Sequence, residues 1–268
     1  MSVNQQILKN KRIIVTGASS GIGEHLCWHI AKHGGIPIMI ARSGDKLEKL
    51  QEKLKGEFAV KAYIYQTDVT DHEAYSDVLA QIVADHQQIY GLINNAGAGV
   101  FAAVEEIQWD DLERMFQLNV FGLINGTKQL LPHFSANRRI CHIVNIASLA
   151  GKVATPKSAV YAATKHAVLG FTNVLRLEVE RKKIYVTAVN LGPVKTDFFT
   201  QADPTGSYQK NVSRYMLDPD KVAKKVIKHL FQKKREINLP HWMAFGAKLY
   251  QLFPSLIERL AGKKLYKK

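Results

Sequence analysis

Apolar residues along this chain recur in two rhythms. Short runs rich in isoleucine and valine alternate with polar stretches in which leucine, isoleucine or alanine returns every three or four positions. The runs fall at 11–15, 36–40, 61–65, 89–93, 140–146 and 184–189, with 236–239 as the last. Continuous apolar runs of this kind predict strands buried on both faces. The stretches between them predict amphipathic helices: one carrying Leu26, Ile30 and Ala31, then 45–55, 72–86, 105–131, 168–180 and 220–231. Strand followed by helix, repeated along the chain, predicts an α/β fold: one doubly wound parallel sheet with helices on both faces, over residues 1–240.

Two regions depart from this alternation. Residues 197–218 are polar, carry Asp203-Pro204-Thr205-Gly206 and few apolar anchors, and predict a mobile loop or lid. Residues 241–268 predict a basic amphipathic tail, not a second domain. There Trp242, Phe245, Leu249, Leu252, Leu256 and Leu260 recur at helical steps, and Pro254 is placed to open a second short helix. Lys263, Lys264, Lys267 and Lys268 follow. The stripe has two readings. It packs on the domain or on a partner subunit, or it rests with its lysines on an anionic membrane surface, in which case a lipophilic substrate enters from the bilayer.

Composition narrows the class. A chain of 268 residues suits one large α/β domain, and 46% hydrophobic with 22% charged residues is ordinary for a globular protein. The net charge of +14 is concentrated at the end: residues 221–268 hold thirteen Lys or Arg against two Glu. No recognition motif accompanies that charge, so no nucleic-acid partner is expected. Cys27 and Cys141 lie among apolar residues and read as small buried thiols, not as a disulfide. The scattered histidines show no ligand spacing, so no metal is expected. Without a leader-like opening or a run long enough to span a bilayer, the sequence predicts a cytoplasmic protein, peripheral at the membrane surface if the tail binds lipid.

The candidate chemistry sits where strands end. The first run leads into Thr16-Gly17-Ala18-Ser19-Ser20-Gly21-Ile22-Gly23 and then a helix. Strand, glycine-rich turn and helix form the context of a dinucleotide phosphate loop, with the helix N–H groups facing the anion. Gly17 permits the tight turn, Gly21 the approach of a pyrophosphate, and Gly23 close helix packing. The second run ends in Ala41-Arg42-Ser43 with no carboxylate. Arg42 suits a 2′-phosphate and Ser43 a hydrogen bond to it, which favours NADP(H) over NAD(H). Thr67-Asp68-Val69 follows the third run, where Asp68 or Thr70 also reads as a helix N-cap. Asn94-Asn95-Ala96-Gly97 is a turn signal after the fourth. Asn119 stands inside a helical pattern, where its amide competes with the backbone. Ser148 follows the fifth run, and Tyr161 and Lys165, four residues apart, share a helix face. An ammonium beside a phenol lowers its pKa from about 10, which suits Tyr161 for proton transfer near neutrality.

In order and spacing these motifs resemble the short-chain dehydrogenase/reductase family. They are the TGxxxGxG loop, the NNAG turn, Ser148, Tyr161 and Lys165 thirteen and four apart, and Gly192-Pro193-Val194-Lys195-Thr196 after the sixth strand. Leu191 stands where relatives often carry proline. The resemblance implies a Rossmann-like sheet and NADP(H)-dependent reduction of a ketone or aldehyde, with Asn119, Ser148, Tyr161 and Lys165 as the catalytic tetrad. It implies cofactor contacts from Gly17, Ser19, Ser20, Gly21, Ile22, Gly23, Arg42, Ser43, Asp68, Val69, Asn95, Ala96, Gly97, Pro193, Val194 and Thr196, besides Tyr161 and Lys165. It also implies a homodimer or homotetramer formed through the helices that carry Asn119 and Tyr161. The same site run backwards is an alcohol dehydrogenase, and a non-catalytic cofactor-binding sensor or membrane-surface scaffold is the other alternative. Ala98, Val100, Phe101, Val153 and Phe198 are expected to line an apolar substrate pocket.

Overall fold

The computed structural model describes residues 7–203 and 205–261. Seven strands form one sheet: β1 (Arg12–Thr16), β2 (Ile36–Ala41), β3 (Tyr63–Gln66), β4 (Gly91–Asn94), β5 (Cys141–Ser148), β6 (Ile184–Leu191) and β7 (Glu236–Leu239). Their order is β3-β2-β1-β4-β5-β6-β7, and every pairing is parallel. The chain winds outward from β1 to β3, then returns to β4 on the other side of β1. That reversal leaves a crevice beyond the carboxyl ends of β1 and β4, where ligands of such sheets bind.

The strands are mostly apolar because helices cover both faces. Ile13, Val15 and Met39 point into one core with α1 (Gly21–Lys32), α2 (Gly44–Phe58) and, far along the chain, α9 (Pro219–Lys228). Ile14, Ile38 and Ile40 point into the other, under α3 (His72–His86), α5 (Gly122–Ala136) and α6 (Ala159–Glu178). Both cysteines are buried free thiols. Asp71, not Asp68 or Thr70, caps α3, accepting from the Ala74 N–H at 3.0 Å.

Two stretches differ from the sequence expectation, and the tail takes the expected two helices. The long helix over 105–131 starts later, at Trp109, as α4 (Trp109–Phe116), passes through a π-helical turn at Gln117–Phe121 and continues as α5. Residues 197–218 are not an unanchored loop. They form α7 (Phe198–Ala202), α8 (Ser207–Val212) and a 3₁₀ turn at Ser213–Tyr215, with Phe199 and Ala202 buried. The tail forms α10 (His241–Leu252) and α11 (Pro254–Ala261), with Pro254 opening the second helix. Its stripe stays exposed: Trp242, Phe245, Leu249, Leu252, Leu256 and Leu260 all face outward to a large extent. The lysines from Lys263 onward lie outside the described residues. Among the described residues no helix is long and apolar enough to cross a membrane.

Candidate active site

The first cleft lies over the β1–α1 turn. Gly17 and Gly21 have φ of +64° and +53°, a region that favours glycine. A Cβ on Gly23 would lie 2.0 Å from the Gly17 carbonyl oxygen, so α1 starts directly against the turn. Ser20 precedes α1 without a side-chain cap, which leaves the helix N-terminus facing the cleft as an anion site. Thr16 Oγ1 accepts from the Asn95 and Ala96 N–H groups at 3.0 and 3.1 Å, and Asn95 Nδ2 donates to the Thr16 and Gly17 carbonyls at 3.0 and 3.2 Å. The turns after β1 and β4 are thereby sewn together.

This cleft, of about 340 Å³, is lined by Gly17, Ser19, Ser20, Gly21, Ile22, Arg42, Ser43, Asp68, Val69, Asn95, Ala96, Gly97 and Thr196. Gly23 packs behind it. Arg42 lies at its open end, 3.6 Å from Asp68 across the nucleotide side. Lys46, on the first turn of α2, lines the same end. The sequence reading stopped at the strand end and missed it, although Lys46 follows Ser43 by three positions. A dinucleotide fits this surface: a turn that side chains would fill, an uncapped helix end, and two cations at the far rim.

A second cavity, of about 610 Å³, adjoins the first and shares Ile22, Asn95, Gly97, Thr196 and Phe198 with it. Ser148, Tyr161, Lys165, Pro193 and Val194 line it. Ser148 ends β5, its hydroxyl donating to the Leu191 carbonyl at 3.3 Å and accepting from the Ala150 N–H at 3.1 Å. Lys165, one helical turn beyond Tyr161 on α6, is buried and donates to the Ile146 carbonyl at 3.2 Å. Its ammonium sits 5.7 Å from the centre of the Tyr161 ring.

The electrostatics correct one expectation. Burial pushes the Tyr161 phenol up to about 12, while a hydrogen bond with Ser148 pulls it down and Tyr208 pushes it up. Burial pushes Lys165 down to about 8. In the chain itself, desolvation of the phenolate is the largest influence on Tyr161, and it favours the protonated phenol.

Asn119 lines neither cavity. Buried in the π turn, it donates to the Ala98 carbonyl at 2.8 Å and to Thr164 Oγ1 at 3.0 Å, and accepts from the Ala98 N–H at 2.8 Å. It fastens the segment after β4 to α6.

Of the expected pocket residues, Phe101, Val153 and Phe198 line the second cavity, Ala98 lines the first, and Val100 lines neither. Aromatic rings gather around Tyr161, with Phe101 and Phe198 each 5.8 Å away and Tyr208 4.8 Å from Phe101. These are the anchors that a count of polar residues over 197–218 did not weigh. The tail also contributes a wall: Trp242, Met243, Gly246, Ala247, Tyr250 and Ile257. The sequence reading followed the exposed stripe and missed this second helical face.

Known proteins decide the family. A family model described as short chain dehydrogenase matches residues 11–206. The chain belongs to the short-chain dehydrogenase family. This dehydrogenase is 32% identical over 241 residues to an uncharacterized oxidoreductase of Listeria innocua, covering 87% of this chain and 94% of the relative. It is 31% identical over 232 residues to a fatty acyl-CoA reductase of Acinetobacter baylyi, covering 86% and 76%. A solved short-chain dehydrogenase from Sphingobium yanoikuyae, in complex with NADPH, matches with a TM-score of 0.79 at 25% identity, over 91% of this chain and 95% of that one. As a member of the family, this dehydrogenase is an NAD(P)-dependent oxidoreductase.

Proposed function

We propose that this dehydrogenase uses NADPH to reduce a hydrophobic ketone or aldehyde to an alcohol. One observation carries the reading: Ser148, Tyr161 and Lys165 share a largely apolar cavity that opens into the dinucleotide cleft. When bound, the nicotinamide supplies the hydride. Tyr161, held protonated by burial, donates the proton to the forming alkoxide. Ser148, in the same cavity, steadies the same oxygen. The Lys165 ammonium offsets the negative charge that Tyr161 gains as it gives up its proton, and hydrogen-bonds the nicotinamide ribose. Asn119 holds the turn from which a positioned water returns the proton from solvent. General acid catalysis of this kind contributes roughly 10²- to 10⁴-fold.

Preference for NADPH is supported by Arg42, Ser43 and Lys46 at the rim of the cleft and by the lack of a carboxylate at the end of β2. Exposed Val174 and Leu177 on α6 and Phe121 on the π turn support a homodimer or homotetramer through those helices. The exposed tail stripe and its basic surroundings support peripheral contact with an anionic membrane. The relative named as a fatty acyl-CoA reductase agrees with an apolar substrate.

The test is Tyr161→Phe. The variant should lose turnover by about a thousandfold or more while still enhancing NADPH fluorescence on binding. Turnover that survives the substitution would refute the assignment.

A further inference from the structure

Helix α10 has two faces, and both are in use. Met243, Ala247 and Tyr250 line the cavity that holds Tyr161, and Ile257 of α11 closes the same wall. The other side presents Phe245, Leu249 and Leu252, which α11 extends with Leu256 and Leu260. The faces meet at Gly246, which lines the cavity and is itself exposed. A Cβ built on Gly246 meets nothing within 4 Å. No crowding neighbour requires glycine there, and glycine is unfavourable within a helix. What its missing side chain leaves is a gap on the surface where the cavity wall meets the exposed stripe. The Tyr250 hydroxyl donates to Glu258 at 2.7 Å and holds α10 against α11 beside that gap.

We propose that α10 and α11 form a portal seated on an anionic bilayer, through which the alkyl chain of a lipid aldehyde or ketone passes over Gly246 to place its carbonyl at Tyr161. The chemistry rests on the reductase reading above; the route does not. Charge selects the occupant of the stripe. The segment 241–268 that carries the stripe holds six Lys or Arg against one Glu, and Lys248 and Arg259 stand exposed on the two helices themselves. A second copy would bring the same positive surface against this one, whereas an anionic lipid surface complements it. The opening then delivers an apolar chain directly from its own solvent.

Calorimetry with straight-chain alcohols, as analogues of the product, tests the route without turnover. Gly246→Phe should weaken dodecanol binding at least about tenfold and leave butanol within about twofold, since only the longer chain must cross the gap. Gly246→Leu gives the same reading should the larger ring disturb folding. Equal effects on both alcohols, or a wild type that binds dodecanol no better than butanol, overturn the proposal. Sedimentation with phosphatidylcholine vesicles, with and without phosphatidylglycerol, tests the surface. The wild type should sediment with the anionic vesicles, and the Phe245→Glu, Leu256→Glu double variant should stay in the supernatant with butanol binding intact. Equal sedimentation of the two proteins overturns the membrane occupant, and so does a double variant that only breaks a dimer. A wild type that passes both tests but consumes no NADPH with dodecanal upholds the portal and removes the reductase reading.

Discussion

Arg42 and Lys46 stand together at the open rim of the cofactor cleft, where Arg42 lies 3.6 Å from Asp68. Each is suited to a charge-assisted bond to a 2′-phosphate, of about 1.5–3 kcal/mol. Arg42→Ala should therefore raise the NADPH dissociation constant roughly 10- to 100-fold and leave that of NADH within a few-fold, as fluorescence titration would read. Lys165 supports a prediction with pH. Burial lowers it to about 8, so the ammonium is intact below that value and lost above it. The kcat/KM for carbonyl reduction should fall as pH rises through about 8. Lys165→Met, slow at every pH, should lack that limb. The glycine turn, Arg42 and the Tyr161–Lys165 pair could be placed from the sequence because each follows a strand end, and a parallel sheet brings those ends to one edge. The protonated state of Tyr161 was not, because it depends on how thoroughly the surrounding rings and strands exclude water.

At the scale of elements, the π turn at Gln117–Phe121 shows what periodicity cannot see. Its closing bond runs from the Gly122 N–H to the Gln117 carbonyl, one residue longer than in an α-helix. A Cβ on Gly122 would lie 2.9 Å from the Val69 carbonyl oxygen, which brings the turn close to the segment after β3. In sequence, this stretch reads as ordinary helix with an awkward asparagine. Asn119→Leu would remove three hydrogen bonds and leave the Ala98 backbone groups unpaired. We expect a loss of about 3 kcal/mol or more in urea unfolding, with the m-value unchanged. The two helices Phe198–Ala202 and Ser207–Val212 were likewise hidden. Most of their few apolar residues are aromatic (Phe198, Phe199 and Tyr208), and one ring of that size buries as much surface as several small side chains.

Across the whole molecule, the alternation of runs and amphipathic stretches was enough to give the sheet, because a strand covered on both faces is apolar at most positions. What the pattern could not show was polar groups satisfied inside it. His142, in β5, accepts from the Phe231 N–H at Nδ1 (2.8 Å), which places its proton on Nε2, facing Thr187 Oγ1 (2.8 Å). Thr187 in turn donates to the Lys234 carbonyl. One imidazole thus binds β5, β6 and the approach to β7. Burial pushes its pKa down to about 3 from its ordinary 6.5. The folded state then stays neutral while the unfolded chain takes up a proton, so stability is full above pH 6.5 and declines as pH falls from there toward about 3. Between pH 6.5 and about 5 the loss is on the order of 2 kcal/mol. His142→Gln should be less stable at neutral pH but show a flatter dependence over that window in denaturant melts.

Gly192, just past β6, allows Met243 and Pro240 to sit where a Cβ would lie 2.8 and 3.0 Å from them. The final helices therefore reach the second cavity beside the end of the sheet, and none of their described residues lines the dinucleotide cleft. On the proposed reading, part of the substrate wall is thus built from a length of chain that contributes nothing to the lining of the dinucleotide cleft. Exchanging the segment beyond Pro240 between relatives should redirect selectivity while leaving coenzyme affinity as it was.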